Sequence, residues 1–268
     1  MKKYIIIAVA SILAFSGCSN INDHQNTPQE MTFTAGFSDG VQTRATLDPS
    51  TKKVGFDAGD QISILSEEND NVTFTTTAGG ESATFTGTAA AATTYYAIYP
   101  YQDGLSLVSG PTIVGLEIPM DQTAAASSTC GWDPAAPIAY ASTTGTSFTF
   151  SNLCALLKVT NDRTSAVNIL IQDLDYSAGM AGGDCEYDIS TGTLSGSAPM
   201  VYVYGVPTGK TVYIAIAPCT VGNLGAIWYD DNYNDRCKTK ASVTFEAGKI
   251  YDLGNTSDWN DPVPVPNP

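Results

Sequence analysis

The stretch SFTFSN, residues 147–152, alternates phenylalanine with serine and threonine, so Phe148 and Phe150 fall on one face of an extended chain. Successive side chains of a strand point to opposite faces of its sheet, so a period of two is typical of a half-buried strand. The same period recurs on both sides, in QISILSEE (61–68), NVTFTTT (71–77) and TVYIAIAP (211–218). Short turns rich in Gly, Asn and Asp separate these segments. The pattern predicts an all-β protein, and the short spacing favours β-sandwiches.

The chain is predicted to divide near a polar stretch, ASTTGTS at 141–147, where the strand pattern is interrupted. FDAGDQISIL begins at Phe56 and FEAGKIYDL begins at Phe245, so an aromatic–acidic–Ala–Gly turn followed by a strand occurs on each side. The sequence therefore predicts two tandem β domains, at 31–145 and 146–255.

The amino terminus, MKKYIIIAVASILAFSGC, combines two lysines with an apolar run that is too short to span a bilayer. This pattern predicts a signal peptide at 1–17. Small residues before Cys18 match the bacterial lipoprotein box, in which the cysteine thiol carries diacylglycerol. Cys18 is therefore the predicted lipidation site, and 18–30 the lipidated polar tether. An ordinary signal peptide with an incidental cysteine is the alternative.

Composition excludes several classes of function. The single histidine, His24, lies in the tether, so a domain beginning near Met31 lacks the histidine of Ser-His-Asp and Cys-His catalysis and of most zinc sites. A net charge of −15 disfavours nucleic acid and anionic lipid as partners. We predict no enzymatic activity and no cofactor. A hydrolase that uses paired carboxylates stays a weaker alternative, since no pair is singled out.

Five cysteines besides Cys18 leave at least one unpaired, and no CxxC spacing supports metal or redox chemistry. They are Cys130, Cys154, Cys185, Cys219 and Cys237. Cys154 lies in an apolar run and is predicted to be a buried thiol. One disulfide among the last three is expected, but the sequence does not choose its pairing.

Candidate ligand-binding residues are Trp228, Tyr229 and Tyr233, which cluster in IWYDDNYND at 227–235. Aromatic faces stack on the apolar side of sugar rings, and binding residues concentrate in loops such as the one predicted here. The alternative is ordinary packing of these rings. The neighbouring aspartates lack the glycine and glutamate of a calcium loop, so no metal site is predicted.

An ordered set of motifs follows the lipoprotein box: TRATLD (43–48), an aromatic with GD-x-I (56–62), YYAIYPY (95–101), IPMDQ (118–122), PIAYAS (137–142), FTFSNLCALLKV (148–159) and AGKIYDL (247–253). This order resembles the fimbrillin-like proteins of Bacteroidales, the subunits and accessory components of surface fimbriae. The resemblance runs from Cys18 to about Leu253. It implies two Greek-key, transthyretin-like sandwiches, a lipid-anchored outer-membrane precursor, and a role at the cell surface in adhesion.

The resemblance also implies a maturation route. An arginine-specific protease cuts the precursor, an early strand leaves, and a strand from a neighbouring fimbrial subunit fills the groove. Arg44 and Ala45 flank the predicted cut, downstream of MTFTAGF (31–37), whose Phe33, Ala35 and Phe37 would fill the groove beforehand. The alternative is that Arg44 is a surface residue at a strand end.

The predicted tail at 256–268 departs from a shaft subunit, because prolines at every second position from 262 remove backbone donors. This favours a tip or accessory subunit over a polymerising one. The partners implied are other fimbrial subunits, the membrane lipid and a glycan or protein receptor. The rival function is a carbohydrate-binding outer-membrane lipoprotein that does not polymerise.

Overall fold

The computed structural model describes residues 27–38, 55–123, 131, 133–230, 232 and 235–261. Within these ranges the regular structure is β apart from one 3-10 turn, Thr256–Asp258, and no helix is long and apolar enough to cross a membrane. The all-β prediction is confirmed. The strands are β1 Gln29–Phe37, β2 Gln61–Ser66, β3 Asn69–Thr76, β4 Ser82–Ala89, β5 Tyr95–Tyr99, β6 Ser106–Val108, β7 Thr112–Ile118, β8 Asp121–Thr123, β9 Ala139–Thr143, β10 Ser147–Asn152, β11 Ala155–Asn161, β12 Val167–Asp173, β13 Gly182–Asp188, β14 Thr193–Ser195, β15 Met200–Val206, β16 Lys210–Ile216, β17 Cys219–Tyr229, β18 Asp235–Phe245 and β19 Ile250–Asn255.

Seven strands form a closed barrel in the order β1-β10-β9-β5-β2-β3-β4. Its inward side chains make a core that is rich in phenylalanine: Phe33, Phe56, Phe74, Phe85, Phe148 and Phe150. The first predicted sandwich is therefore a barrel. The reason is that β1 pairs with both β4 and β10, which joins the two edges that would otherwise be open.

The remaining strands form three sheets, ordered β16-β11-β19, β18-β17-β12-β15-β8 and β14-β13-β7-β6. They share a second core, which includes Leu157, Ile169, Ile214 and the fully buried Trp259. Because Trp259 belongs to this core and Thr256 is fully buried, the tail predicted at 256–268 begins within the fold. Residues 262–268 lie outside the described residues.

Strand pairing crosses the predicted division at 145. β10 is part of the barrel, while β7 pairs with β13 and β8 pairs with β15. The hairpin of β6 and β7 thus leaves the barrel strands that flank it in sequence and joins a sheet of the second half. Whether 31–145 and 146–255 fold as separate domains stays a prediction.

Candidate functional site

The first strand lies between two barrel strands that are distant from it in sequence. β1 pairs antiparallel with β4 from Gln29 to Gly36, and parallel with β10 from Thr34 to Phe37. Near its end, the Thr34 amide donates to the Thr146 carbonyl at 2.9 Å, and the Ser38 amide donates to the Phe150 carbonyl at 2.9 Å. Taking β1 away would leave unpaired backbone groups along both neighbours, which is the arrangement that accepts another strand.

Alternate side chains of β1 fill a groove lined with aromatic rings. Phe33 is fully buried, with its ring centroid 4.9 Å from that of Phe148 and 5.1 Å from that of Tyr95. Ala35 is also fully buried, and the half-buried Phe37 stacks on Phe56 at 4.8 Å. The prediction that MTFTAGF forms a strand with these three side chains on one face is confirmed.

The predicted processing and lipidation residues lie outside the described residues. These are Cys18, Arg44 and Ala45. Arg44 falls in the segment 39–54, which connects Ser38 to Gly55 in the chain. A cut after Arg44 would therefore separate β1 covalently from every other barrel strand.

The predicted sugar-binding residues are not brought together in the described residues. Trp228 is 2% exposed, and the guanidinium carbon of Arg163 lies 4.0 Å from its ring centroid. Tyr229, half-buried, follows it on the opposite face of β17, and Tyr233 lies outside the described residues. The loop predicted around Trp228 is the end of an 11-residue strand, so alternation sends the two rings to opposite sides. Trp228 does not offer the exposed ring face that stacking on a sugar requires.

A different group of tyrosines lies on the outer face of the five-stranded sheet. Tyr202 and Tyr204 of β15 have ring centroids 6.0 Å apart and planes within 7° of each other. The Tyr204 hydroxyl donates to Asp121 Oδ1 at 3.2 Å. The sequence signal was weak because MVYVYGV (200–206) alternates valine with tyrosine, and both residue types suit the core.

Four cysteines in the described residues are free thiols: Cys154, Cys185, Cys219 and Cys237. The prediction of a buried Cys154 is confirmed, and burial raises the pKa of its thiol to about 12. The predicted disulfide among the other three is wrong. Cys219 pairs with Phe245 and Cys237 pairs with Ile227, so these two thiols lie at opposite ends of the β17–β18 hairpin. Cys185 lies in another sheet, on β13.

No group of three or more His, Cys, Asp or Glu side chains is placed to hold a metal ion in the part of the chain that the structure describes. The buried carboxylate of Asp173 accepts hydrogen bonds from the Ser177 and Ala178 amides, both at 2.8 Å. It organises the turn after β12.

Comparison with solved structures finds similar folds in proteins from Bacteroides. A candidate cell adhesion protein from Bacteroides uniformis superposes with a TM-score of 0.52 at 15% identity, over 86% of this chain and 94% of that one. A second candidate cell adhesion protein, from Bacteroides fragilis, gives a TM-score of 0.46 at 12% identity, over 88% and 97% of the two chains. A fimbrial protein from Bacteroides ovatus gives 0.37 at 15% identity, over 75% of this chain and 44% of that one.

The first of these likenesses shows a shared fold, which is consistent with the resemblance to fimbrillin-like proteins. No protein-family model matches the sequence, and no curated protein does.

Proposed function

We propose that this protein is a lipid-anchored surface component of a fimbria, of the tip or accessory kind, which joins a neighbouring subunit by exchange of its first strand and contributes to adhesion. Cys18 carries the lipid in the outer membrane, and cleavage between Arg44 and Ala45 releases β1. A fold shared with a candidate cell adhesion protein supports the adhesion role.

The observation that carries the proposal is the position of β1. It is the first strand of the described residues, it is inserted between β4 and β10, and its large side chains point into an aromatic groove. A strand that closes a barrel from a chain end can leave without unthreading the strands that remain. Loss of Phe33 and Ala35 would expose apolar surface, which favours rapid occupation by another strand.

The carboxyl-terminal sequence supports a tip or accessory position. The last described residue, Asp261, exchanges backbone hydrogen bonds with Cys237 on the edge of β18, at 2.8 and 2.9 Å. The following prolines, at every second position from 262, lack the amides that a strand paired on both sides needs. A segment of this kind is a poor donor to the groove of another subunit.

The test is strand exchange in the cut protein. The folded chain is treated with an arginine-specific protease, and a labelled peptide with the sequence of residues 27–44 is added. We expect the peptide to replace the native segment at one per protein. The Arg44→Lys protein, treated with the same protease, keeps the charge but cannot be cut after position 44, and it should not take up the peptide.

Two variant peptides give the matched control. Phe33→Asp places a charge in the groove and should abolish incorporation, whereas Thr34→Asp alters an exposed position of the same strand and should keep it. Equal incorporation of both peptides, or none of the native peptide after a complete cut, would contradict strand exchange. Amino-terminal sequencing of material sheared from cells should begin at Ala45.

A further inference from the structure

The outer face of the five-stranded sheet carries an aromatic surface that belongs to neither core. Cross-strand pairing sets Asp121 of β8 beside Tyr202, Tyr202 beside Leu170, and Leu170 beside Ile227. Neither core includes these side chains or those of Tyr204 and Tyr229. We name Asp121, Leu170, Tyr202, Tyr204 and Tyr229 the tyrosine face.

Two rings of the tyrosine face share one orientation. Tyr202 and Tyr204 stand two residues apart on one strand, so they project from the same side of the sheet. Their planes differ by 7° and their centroids are 6.0 Å apart, while Tyr204 is 47% exposed. Two adjacent aromatic rings with a common orientation and about this spacing can each stack on one ring of a ligand that contains successive rings.

The tyrosine face is held in place before any ligand arrives. Tyr204 is fixed at its hydroxyl by Asp121, and the next amide, that of Gly205, donates to Asn168 Oδ1 at 2.9 Å. Gly205 has a φ of +63°, a conformation that favours glycine. Tyrosine hydroxyls are protonated at neutral pH, and desolvation raises the pKa of the Tyr204 and Tyr229 hydroxyls further. A ring whose hydroxyl is already hydrogen-bonded, as that of Tyr204 is, loses less entropy on binding.

The charge and the size of the tyrosine face indicate which class of ligand it can bind. The tyrosine face has a carboxylate and no lysine or arginine among its residues, and the whole chain carries a net charge of −15, so an anionic ligand is disfavoured. Stable protein interfaces involve roughly 20–30 residues on each partner, whereas the tyrosine face comprises five. Aromatic rings with hydroxyl and carboxylate groups beside them fit a small, neutral ligand with many hydroxyls.

We propose that the tyrosine face binds a neutral linear oligosaccharide, with successive sugar rings stacked on Tyr202 and Tyr204 and sugar hydroxyls donating to the carboxylate of Asp121. This inference deepens the proposed adhesion role by naming the class of ligand. It does not depend on β1, so strand exchange and sugar binding fail independently of each other.

The test is titration of the full chain with neutral hexasaccharides, namely β-1,4-glucan, β-1,3-glucan, α-1,4-glucan and β-1,4-mannan, followed by saturation-transfer NMR and calorimetry. Hexagalacturonate is the anionic comparison. We expect binding of at least one neutral hexasaccharide and none of the anionic one. Tyr204→Ala should weaken the binding about tenfold.

The control is Tyr176→Ala, since Tyr176 is 56% exposed and lies outside the tyrosine face. It should bind as the wild type does, and all variants should show the wild-type circular dichroism spectrum. Several results would overturn the proposal: no neutral hexasaccharide bound at millimolar concentration, binding kept in a Tyr202→Ala/Tyr204→Ala double variant, or preferential binding of hexagalacturonate. Occupation of this face by a protein alone would overturn it as well.

Discussion

The rings of Phe33 and Phe148 lie 4.9 Å apart although 115 positions (148 − 33) separate them in the chain. This contact joins β1 to β10, which are parallel neighbours in the seven-stranded barrel. Among the barrel strands β1 comes first in the chain, and its Phe33 is a fully buried part of the barrel core. The stability of the protein and the proposed strand exchange should therefore both depend on the side chain of Phe33.

Replacing Phe33 by alanine tests that dependence. A fully buried phenylalanine leaves a cavity when it is truncated, so Phe33→Ala should lower the free energy of unfolding by about 3–5 kcal/mol. Urea unfolding of the uncut protein measures the change. Thr34→Ala alters the exposed side of the same strand and should change stability by no more than about 0.5 kcal/mol. Similar losses in both variants would mean that β1 does not fill the groove as described.

The sequence predicted those strands and buried faces that follow from the local alternation of apolar and polar residues. The periods of two in MTFTAGF and SFTFSN predicted β1 and β10 and the faces that Phe33 and Phe148 occupy. It did not predict that these two strands are parallel neighbours, because that pairing arises from the tertiary arrangement of the strands between them. Closure of the barrel was missed for this reason.

The candidate ligand residues were predicted less well, for a related reason. Trp228 and Tyr229 look like a pair in sequence, but a strand places consecutive side chains on opposite faces. Tyr202 and Tyr204 were overlooked because valines alternate with them, and neither residue type indicates which face is buried. The burial of Val201 and Val203 in the second core shows that the tyrosines, which alternate with them, point outward.

The second prediction concerns the contact between Arg163 and Trp228. The guanidinium lies over a buried indole, a cation–π geometry worth about 0.5–2 kcal/mol. Arg163→Ala should lower stability by roughly that amount and increase acrylamide quenching of Trp228 fluorescence, measured in a variant that retains this tryptophan alone. Lys249→Ala is the control, because Lys249 is an exposed cation in the turn before β19 and belongs to none of the strands that pair with β17. An equal or larger effect from Lys249 would show that the cation–π contact is not what stabilises this end of the sheet.

The third prediction uses two glycines that lie four positions apart. A Cβ atom on Gly179 would collide with the carbonyl oxygen of Gly196, and backbone cannot move aside cheaply. Gly179→Ala should therefore lower the free energy of unfolding by about 1–3 kcal/mol. A Cβ atom on Gly183 would meet nothing within 4 Å, so Gly183→Ala should be neutral within about 0.5 kcal/mol. Thermal unfolding of the two variants under the same conditions measures the difference. Equal melting temperatures would contradict the close approach of the backbone at Gly179 to the backbone at Gly196.

The last prediction concerns pH and Asp173, whose carboxylate organises the turn after β12. Burial by itself would raise the pKa of Asp173, but hydrogen bonds from the Ala178 amide and from the amide and hydroxyl of Ser177 outweigh it, so the pKa is lowered. A carboxyl group with a lowered pKa stabilises the folded protein fully above its unfolded pKa of about 3.9, and this stabilisation is lost as the pH falls through the folded value.

Asp173→Asn should therefore lower the free energy of unfolding by about 1–3 kcal/mol at neutral pH. The asparagine side chain has one acceptor oxygen and an amide group that only donates, so it cannot accept all of the hydrogen bonds that the carboxylate accepts. Below the folded pKa of Asp173 the difference between wild type and variant should shrink, since the wild-type carboxyl group is then protonated as well. Urea unfolding at a series of pH values from neutral to acid measures the two curves, and the exposed Asp70→Asn controls for the loss of one negative charge. A difference that stayed constant with pH would mean that ionised Asp173 is not what holds this turn.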